Sequence, residues 1–169
     1  IYTWADDFIK ATPNRFTQMI NTYDTYGASV LAGVRVTNDA DYSKYGFAGG
    51  AEVAPGVIDV EKVVEKPGKA NAPSNLAANS AYLFTPDIFD GLRKSLATKD
   101  DASELYFNDG LKVMLAEGKK VYVAEIVGGK YYDAGSKLGY MQTVVDFALE
   151  NPEIGADFRA YLEQVIARH

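Results

Sequence analysis

Glu65 and Lys66 stand side by side at the end of an apolar run and are followed at once by Pro67. Proline has no N–H to give to a strand ladder, so the strand predicted over Val57 to Glu65 must stop there. A carboxylate held at such a strand end can accept hydrogen bonds from sugar hydroxyls. The neighbouring ammonium can neutralise a phosphate as a point charge. A solvated charge pair before a turn would use the same four residues. Asp6 and Asp7 follow another apolar run, Ile1 to Ala5. Two such carboxylates suit a hard cation such as Mg2+, which takes one or two carboxylates plus phosphate oxygens. Side chains alternate along a strand, so only one of the pair needs to face the site. A helix N-terminus or a turn also accounts for them. Gly46, after Tyr45, permits close approach of backbone to a ligand or marks a plain bulge. Asp133 follows the aromatic run Tyr131-Tyr132 and precedes Gly135, which gives a tight turn; Asp alone there is commonly a turn residue.

The elements that must position these residues alternate. A strand over Ile1 to Ala5 leads to a helix with Thr12 as N-cap and Pro13 as its first residue. Phe16, Met19, Ile20 and Tyr23 share one face, and Gly27 ends the helix. A buried strand follows over Ala28 to Thr37. Strand, helix, strand is the unit that builds parallel sheets. Phe47 to Val53 and Val57 to Glu65 form a hairpin around Ala54-Pro55-Gly56. Leu76 to Phe84 is a strand; Thr85-Pro86 starts a helix with Ile88, Phe89 and Leu92 inside. A polar loop over Thr98 to Asp101 precedes a helix carrying Leu105, Leu111, Met114 and Leu115. Lys120 to Ile126 is a further strand. Ser136 N-caps a helix with Leu138, Met141, Val145 and Ala148 inside, stopped by Pro152. The final helix has Phe158, Tyr161, Leu162, Val165 and Ile166 on one face, which fits its own core or a homo-oligomer interface.

Composition narrows the functions. A chain of 169 residues supports a real core and reads as a single domain over residues 1–169. A net charge of −6 argues against non-specific nucleic-acid or membrane binding. There is no cysteine, hence no disulfide framework or thiolate metal site. The single histidine is the last residue, His169, which leaves no histidine base or zinc site. No apolar run is long enough to span a bilayer. The chain opens on Ile1 inside an apolar run, so preceding sequence is expected to be missing.

Four features stand in a fixed order. They are Asp6-Asp7 after a strand, Tyr45-Gly46, Glu65-Lys66-Pro67 with Pro73-Ser74-Asn75-Leu76-Ala77, and Tyr132-Asp133-Ala134-Gly135 with Lys137-Leu138-Gly139-Tyr140. In these, and in the tail from Phe147 to Leu162, the chain resembles the sugar-1-phosphate nucleotidyltransferases, and more narrowly the C-terminal part of the bacterial UTP–glucose-1-phosphate uridylyltransferases. The resemblance covers essentially the whole chain. It implies an α/β fold with a mixed, mostly parallel Rossmann-like sheet flanked by helices, its N-terminal part missing.

The resemblance further implies Mg2+-dependent transfer of a uridylyl group from UTP to glucose 1-phosphate in a cytoplasmic enzyme. Asp6 matches a metal-binding aspartate and Asp133 a second acidic residue near the metal. Gly46 matches a glycine near the sugar, Glu65 a residue accepting from sugar hydroxyls, and Lys66 a catalytic residue on the sugar phosphate. Asn75 in the Pro73–Ala77 run is counted with the substrate-binding residues. Sister enzymes using dTTP, CTP, ATP or GTP remain open, as does a silent sugar-phosphate-binding or assembly domain. Two departures bear on the substrate. Ser80 stands where the family has glycine, and Glu104 to Asp109 lacks the family's Gln and Thr. No Gly-rich phosphate cradle appears, so the nucleotide side is expected in a missing N-terminal segment, and the chain alone is expected to be inactive. Asp6 and Asp133 are expected to reach one crevice from parallel strands of one sheet and to share a metal.

Overall fold

The computed structural model describes residues 1–100 and 104–168. Asp101, in the expected polar loop, and His169 lie outside them. The chain divides into two compact units: Ile1–Trp4 with Ile9–Lys130, and Ala5–Phe8 with Tyr131–His169.

The strands are β1 (Tyr2–Thr3), β2 (Asp7–Ala11), β3 (Ser29–Arg35), β4 (Gly46–Ala54), β5 (Val57–Glu65), β6 (Leu76–Leu83), β7 (Val121–Glu125) and β8 (Gly129–Asp133). The helices are α1 (Arg15–Tyr26), α2 (Asp87–Thr98), α3 (Phe107–Ala116), α4 (Lys137–Glu150) and α5 (Gly155–Ile166). Six strands form the main sheet in the order β1-β6-β3-β7-β5-β4, and β2 pairs with β8 in a separate two-stranded sheet. The mixed α/β class is as expected, but the balance of directions is not. Among the described residues of the main sheet only β3 and β7 run parallel; β1/β6, β3/β6, β4/β5, β4/β6 and β5/β7 are antiparallel. The β4/β5 hairpin is as expected; the antiparallel pairing of β6 with β3 and of β5 with β7 shifts the balance.

Side chains alternate across β3 and β7, so both faces of the sheet are covered. Leu31, Val121 and Val123 pack with Ile88 of α2 and with Leu111 and Met114 of α3. On the other face, Tyr122 stacks on Tyr26 of α1 at 4.4 Å. Helices α2 and α3 approach backbone to backbone: a Cβ on Gly91 would lie 2.5 Å from the Gly110 carbonyl oxygen. Local signals were read correctly in part. The hairpin turns at Gly56 with φ 74°, and Gly27 closes α1 with φ 65°. However, α1 is capped by Asn14, whose Oδ1 accepts from Thr17 N at 3.0 Å, and Thr12 and Pro13 lie outside the helix. The Thr12 N–H is already committed to the Gly128 carbonyl.

In the second unit Ser136 caps α4 as expected, accepting from Gly139 N at 3.1 Å. Of the expected inner residues Val145 and Ala148 are half-buried, and no residue of α4 is fully buried. Leu138 and Met141 are exposed. Phe147 packs edge-on against Tyr132 and Phe8, and Tyr132 donates to Asp146. Gly139 sits so close to the end of β8 that a Cβ there would lie 1.9 Å from the Asp133 carbonyl oxygen. That contact fixes which side of α4 faces inward.

One position of the main sheet is strained. Ala32 of β3 stands opposite Asn79, Ser80 and Ala81 of β6, because the register jumps between Leu31↔Tyr82 and Gly33↔Ala78. In this bulge Ser80 adopts φ 79°, a left-handed conformation that favours glycine. It is fully buried, and its hydroxyl has no hydrogen-bond partner among the described residues. Strain of this kind costs about 1–3 kcal/mol and an orphaned hydroxyl a similar amount, against about 0.5–1 kcal/mol of extra glycine entropy. Ser80→Gly should therefore stabilise the chain by at least about 1 kcal/mol in chemical denaturation. A loss of stability would show that the bulge is not strained.

Candidate functional site

The first unit carries a cleft of about 170 Å³ whose lining includes Trp4, Gly46, Glu65, Asn79, Tyr82 and Asn108. Strand pairing builds its floor. Gly46 begins β4 directly opposite Glu65, which ends β5. A Cβ on Gly46 would lie 2.8 Å from Glu65 Oε2 and 3.2 Å from Val63 Cγ1. The glycine leaves the room into which the Glu65 carboxylate folds. Two of the cleft-lining groups are carboxamides, of Asn79 and Asn108, and with Glu65 they can accept from and donate to hydroxyls. Trp4 and Tyr82 supply aromatic wall. The side chain of Glu65 makes no hydrogen bond or ion pair with the described residues.

Lys66 follows with φ 46°, again left-handed. Its N–H donates to the Tyr45 carbonyl at 3.0 Å, and Gly68 N donates to Tyr42 at 3.0 Å. The turn after β5 is thus tied to the segment leading into β4. Lys66 is exposed, and its ammonium has no partner among the described residues. It does not line the cleft itself. Asn75 is elsewhere engaged: its Oδ1 accepts from Arg35 Nη1 at 2.7 Å, and Arg35 is paired with Glu125. The asparagines brought into the cleft are Asn79 and Asn108, which sequence reasoning missed. Asn79 reaches it through the β6 bulge and Asn108 through the first turn of α3.

A second lobe of about 180 Å³ adjoins the cleft, sharing Val63, Glu65, Asn108 and Leu111 with it. Asp109 on its wall is already committed. Lys99 Nζ donates to it at 2.6 Å and Tyr106 N at 3.1 Å, and these bonds hold the carboxyl below the usual carboxylate range. The Tyr106 hydroxyl donates to Glu104 at 2.6 Å, and this holds its pKa above the usual range.

The second unit brings Asp6 and Asp133 together. Asp133 ends β8 as expected, but Asp6 lies in the bend before β2, not at the end of a strand. The two meet through the small ribbon and not through parallel strands of the main sheet; Ala134 N donates to the Asp6 carbonyl at 2.7 Å. A Cβ on Gly135 would lie 2.7 Å from Asp6 Oδ2 and 3.3 Å from Asp133 Oδ1. Gly135 is therefore needed for space. Its φ lies outside the left-handed range. Asp133 also holds its own turn, accepting from Gly135 N at 3.1 Å and Ser136 N at 3.3 Å. Asp7 turns aside and accepts from the Tyr131 hydroxyl at 3.4 Å. Among the described residues no three or more His, Cys, Asp or Glu side chains gather as a metal site. Two hard oxygen donors that converge where a Gly135 side chain would stand fit a cation that completes its shell with water and phosphate oxygens.

Known proteins are similar to the chain in sequence and fold. The chain is 31% identical over 161 residues to UTP–glucose-1-phosphate uridylyltransferase of Staphylococcus epidermidis, covering 95% of this chain and 54% of the relative. It is 36% identical over 158 residues to the enzyme of that name from Streptococcus pyogenes, covering 92% and 50%. A UDP-glucose pyrophosphorylase from Acinetobacter baumannii superposes with a TM-score of 0.79 at 27% identity, over 95% of this chain and 54% of that one. A UDP-glucose pyrophosphorylase solved with UDP-glucose gives 0.75 at 32% identity, over 88% and 56%. The chain thus spans about half the length of the relatives it matches. The nucleotidyl transferase family model matches residues 1–148, and the chain belongs to that family.

Proposed function

We propose that this chain serves the transfer of a uridylyl group from UTP to glucose 1-phosphate, and that its own residues bind and orient the sugar phosphate. The observation that carries the reading is the Glu65 carboxylate, folded over Gly46 in a cleft with two carboxamides, on a chain related to uridylyltransferases. In the displacement, an oxygen of the sugar phosphate bonds to the α-phosphorus of UTP and pyrophosphate leaves. Such chemistry needs positioning and charge neutralisation more than covalent help. Glu65 accepts from sugar hydroxyls and fixes the ring. Lys66 follows it on a turn with a left-handed backbone, and its ammonium offsets charge on the sugar phosphate.

Asp6 and Asp133 are the residues that would hold Mg2+, which supplies charge neutralisation on phosphate oxygens when bound. Gly135 keeps their carboxylates convergent, and the two bonds from Gly135 N and Ser136 N keep Asp133 in place.

In the protein that carries this chain, Lys66→Ala should lower turnover by on the order of 10²–10³ while moving stability by less than about 1 kcal/mol, since its side chain is exposed. Steady-state kinetics with a thermal melt checks this, and near-normal turnover would remove Lys66 from the mechanism. For the metal, Mn2+ binding to the chain, followed by water proton relaxation, should be weak and should fall at least about tenfold in Asp133→Asn. Asparagine keeps the acceptor for the turn and removes the charge. Unchanged Mn2+ binding in both Asp133→Asn and Asp6→Asn would refute the site.

A further inference from the structure

The two adjoining lobes of the first unit differ in character. The first, about 170 Å³, holds the Glu65 carboxylate and the Asn79 carboxamide. The second, about 180 Å³, has an apolar wall of Val63, Leu111 and Leu115 and is bounded by Tyr106 and Asn108. Each alone is smaller than the ~300–1,000 Å³ of ordinary ligand pockets, and the two together reach that range. At roughly 30 Å³ per water, the second lobe has room for about six water-sized groups. A ligand seated on Glu65 therefore has open space beside it.

The chemistry of that space is selective. Asp109 is bound by Lys99 and the Tyr106 N–H, and the Tyr106 hydroxyl is spent on Glu104. Lys112 is exposed and stands 3.8 Å from Asp109. The half-buried Asn108 carboxamide, between the lobes, makes no hydrogen bond among the described residues. A carboxamide offers both a donor and an acceptor, which matches a secondary amide. The leucines beside it match a methyl group. An anionic substituent would instead meet Glu65 and Asp109.

We propose that the cleft also accepts hexose 1-phosphates carrying a small acylamino group, with the amide on Asn108 and the methyl against Leu111 and Leu115. This rests on the sugar-phosphate reading of the cleft. Calorimetry of the chain with glucose 1-phosphate and with N-acetylglucosamine 1-phosphate tests it. The account expects N-acetylglucosamine 1-phosphate to bind within tenfold of glucose 1-phosphate. It expects Leu115→Trp, which narrows the second lobe, to weaken the acetylated ligand at least tenfold more than the plain one. Should Leu115→Trp fail to fold, Asn108→Leu should show the same selective loss. A gap beyond tenfold in the unaltered chain, or equal losses for both ligands in the folded variant, would overturn the proposal. Binding of neither ligand would instead overturn the sugar-phosphate reading beneath it.

Discussion

The candidate sugar site depends on the missing side chain at Gly46. Strand pairing sets Gly46 against Glu65, and the carboxylate occupies the space where a Cβ would stand, 2.8 Å from Oε2. Because β5 stops at Pro67, the acid is the last residue of a rigid strand and the base the first of a turn. That turn is held by backbone bonds to Tyr42 and Tyr45, the segment that feeds Gly46. One hairpin thus carries both charged residues, and the helix pair α2/α3, pressed together at Gly91 and Gly110, brings Asn108 into the cleft with Glu65.

The same device recurs in the second unit. Gly135 leaves room for two carboxylates, and Gly139 lets α4 start against the end of β8. Candidate function in both units sits where a side chain has been left out and a charged group takes the space. Ser80 is the exception: it keeps a side chain in a backbone conformation that suits glycine.

What was legible in the sequence was local. Ala54-Pro55-Gly56 announced the hairpin, Ser136 its cap and Gly27 its helix end, because each depends on the residue's own conformational preferences. What depended on distant neighbours was not. Thr12 looked like a cap, but its N–H is held by Gly128. Leu138 and Met141 looked buried but are exposed, because Gly139 sets the start of α4 against the end of β8. Ala5–Phe8 belongs with the last part of the chain through Phe8 stacked on Tyr132 at 5.3 Å, a contact no period reveals. Of the site, Glu65 and Gly46 were readable from residue type and order. Asn79 was hidden by a bulge, and Asn108 by a segment that departs from the family pattern. That departure, at Tyr106 and Asn108, falls on the second lobe.

The central claim is that Gly46 exists to seat the Glu65 carboxylate for a sugar. Gly46→Ala tests it most directly, since the added Cβ meets chiefly the far end of a flexible side chain and the strand can keep its pairing. The measurement is the affinity of the chain for glucose 1-phosphate by calorimetry, with a thermal melt beside it. The account predicts a loss of at least about tenfold in affinity, about 1.4 kcal/mol, with little change in the melt. Unchanged affinity in a folded Gly46→Ala chain would contradict it.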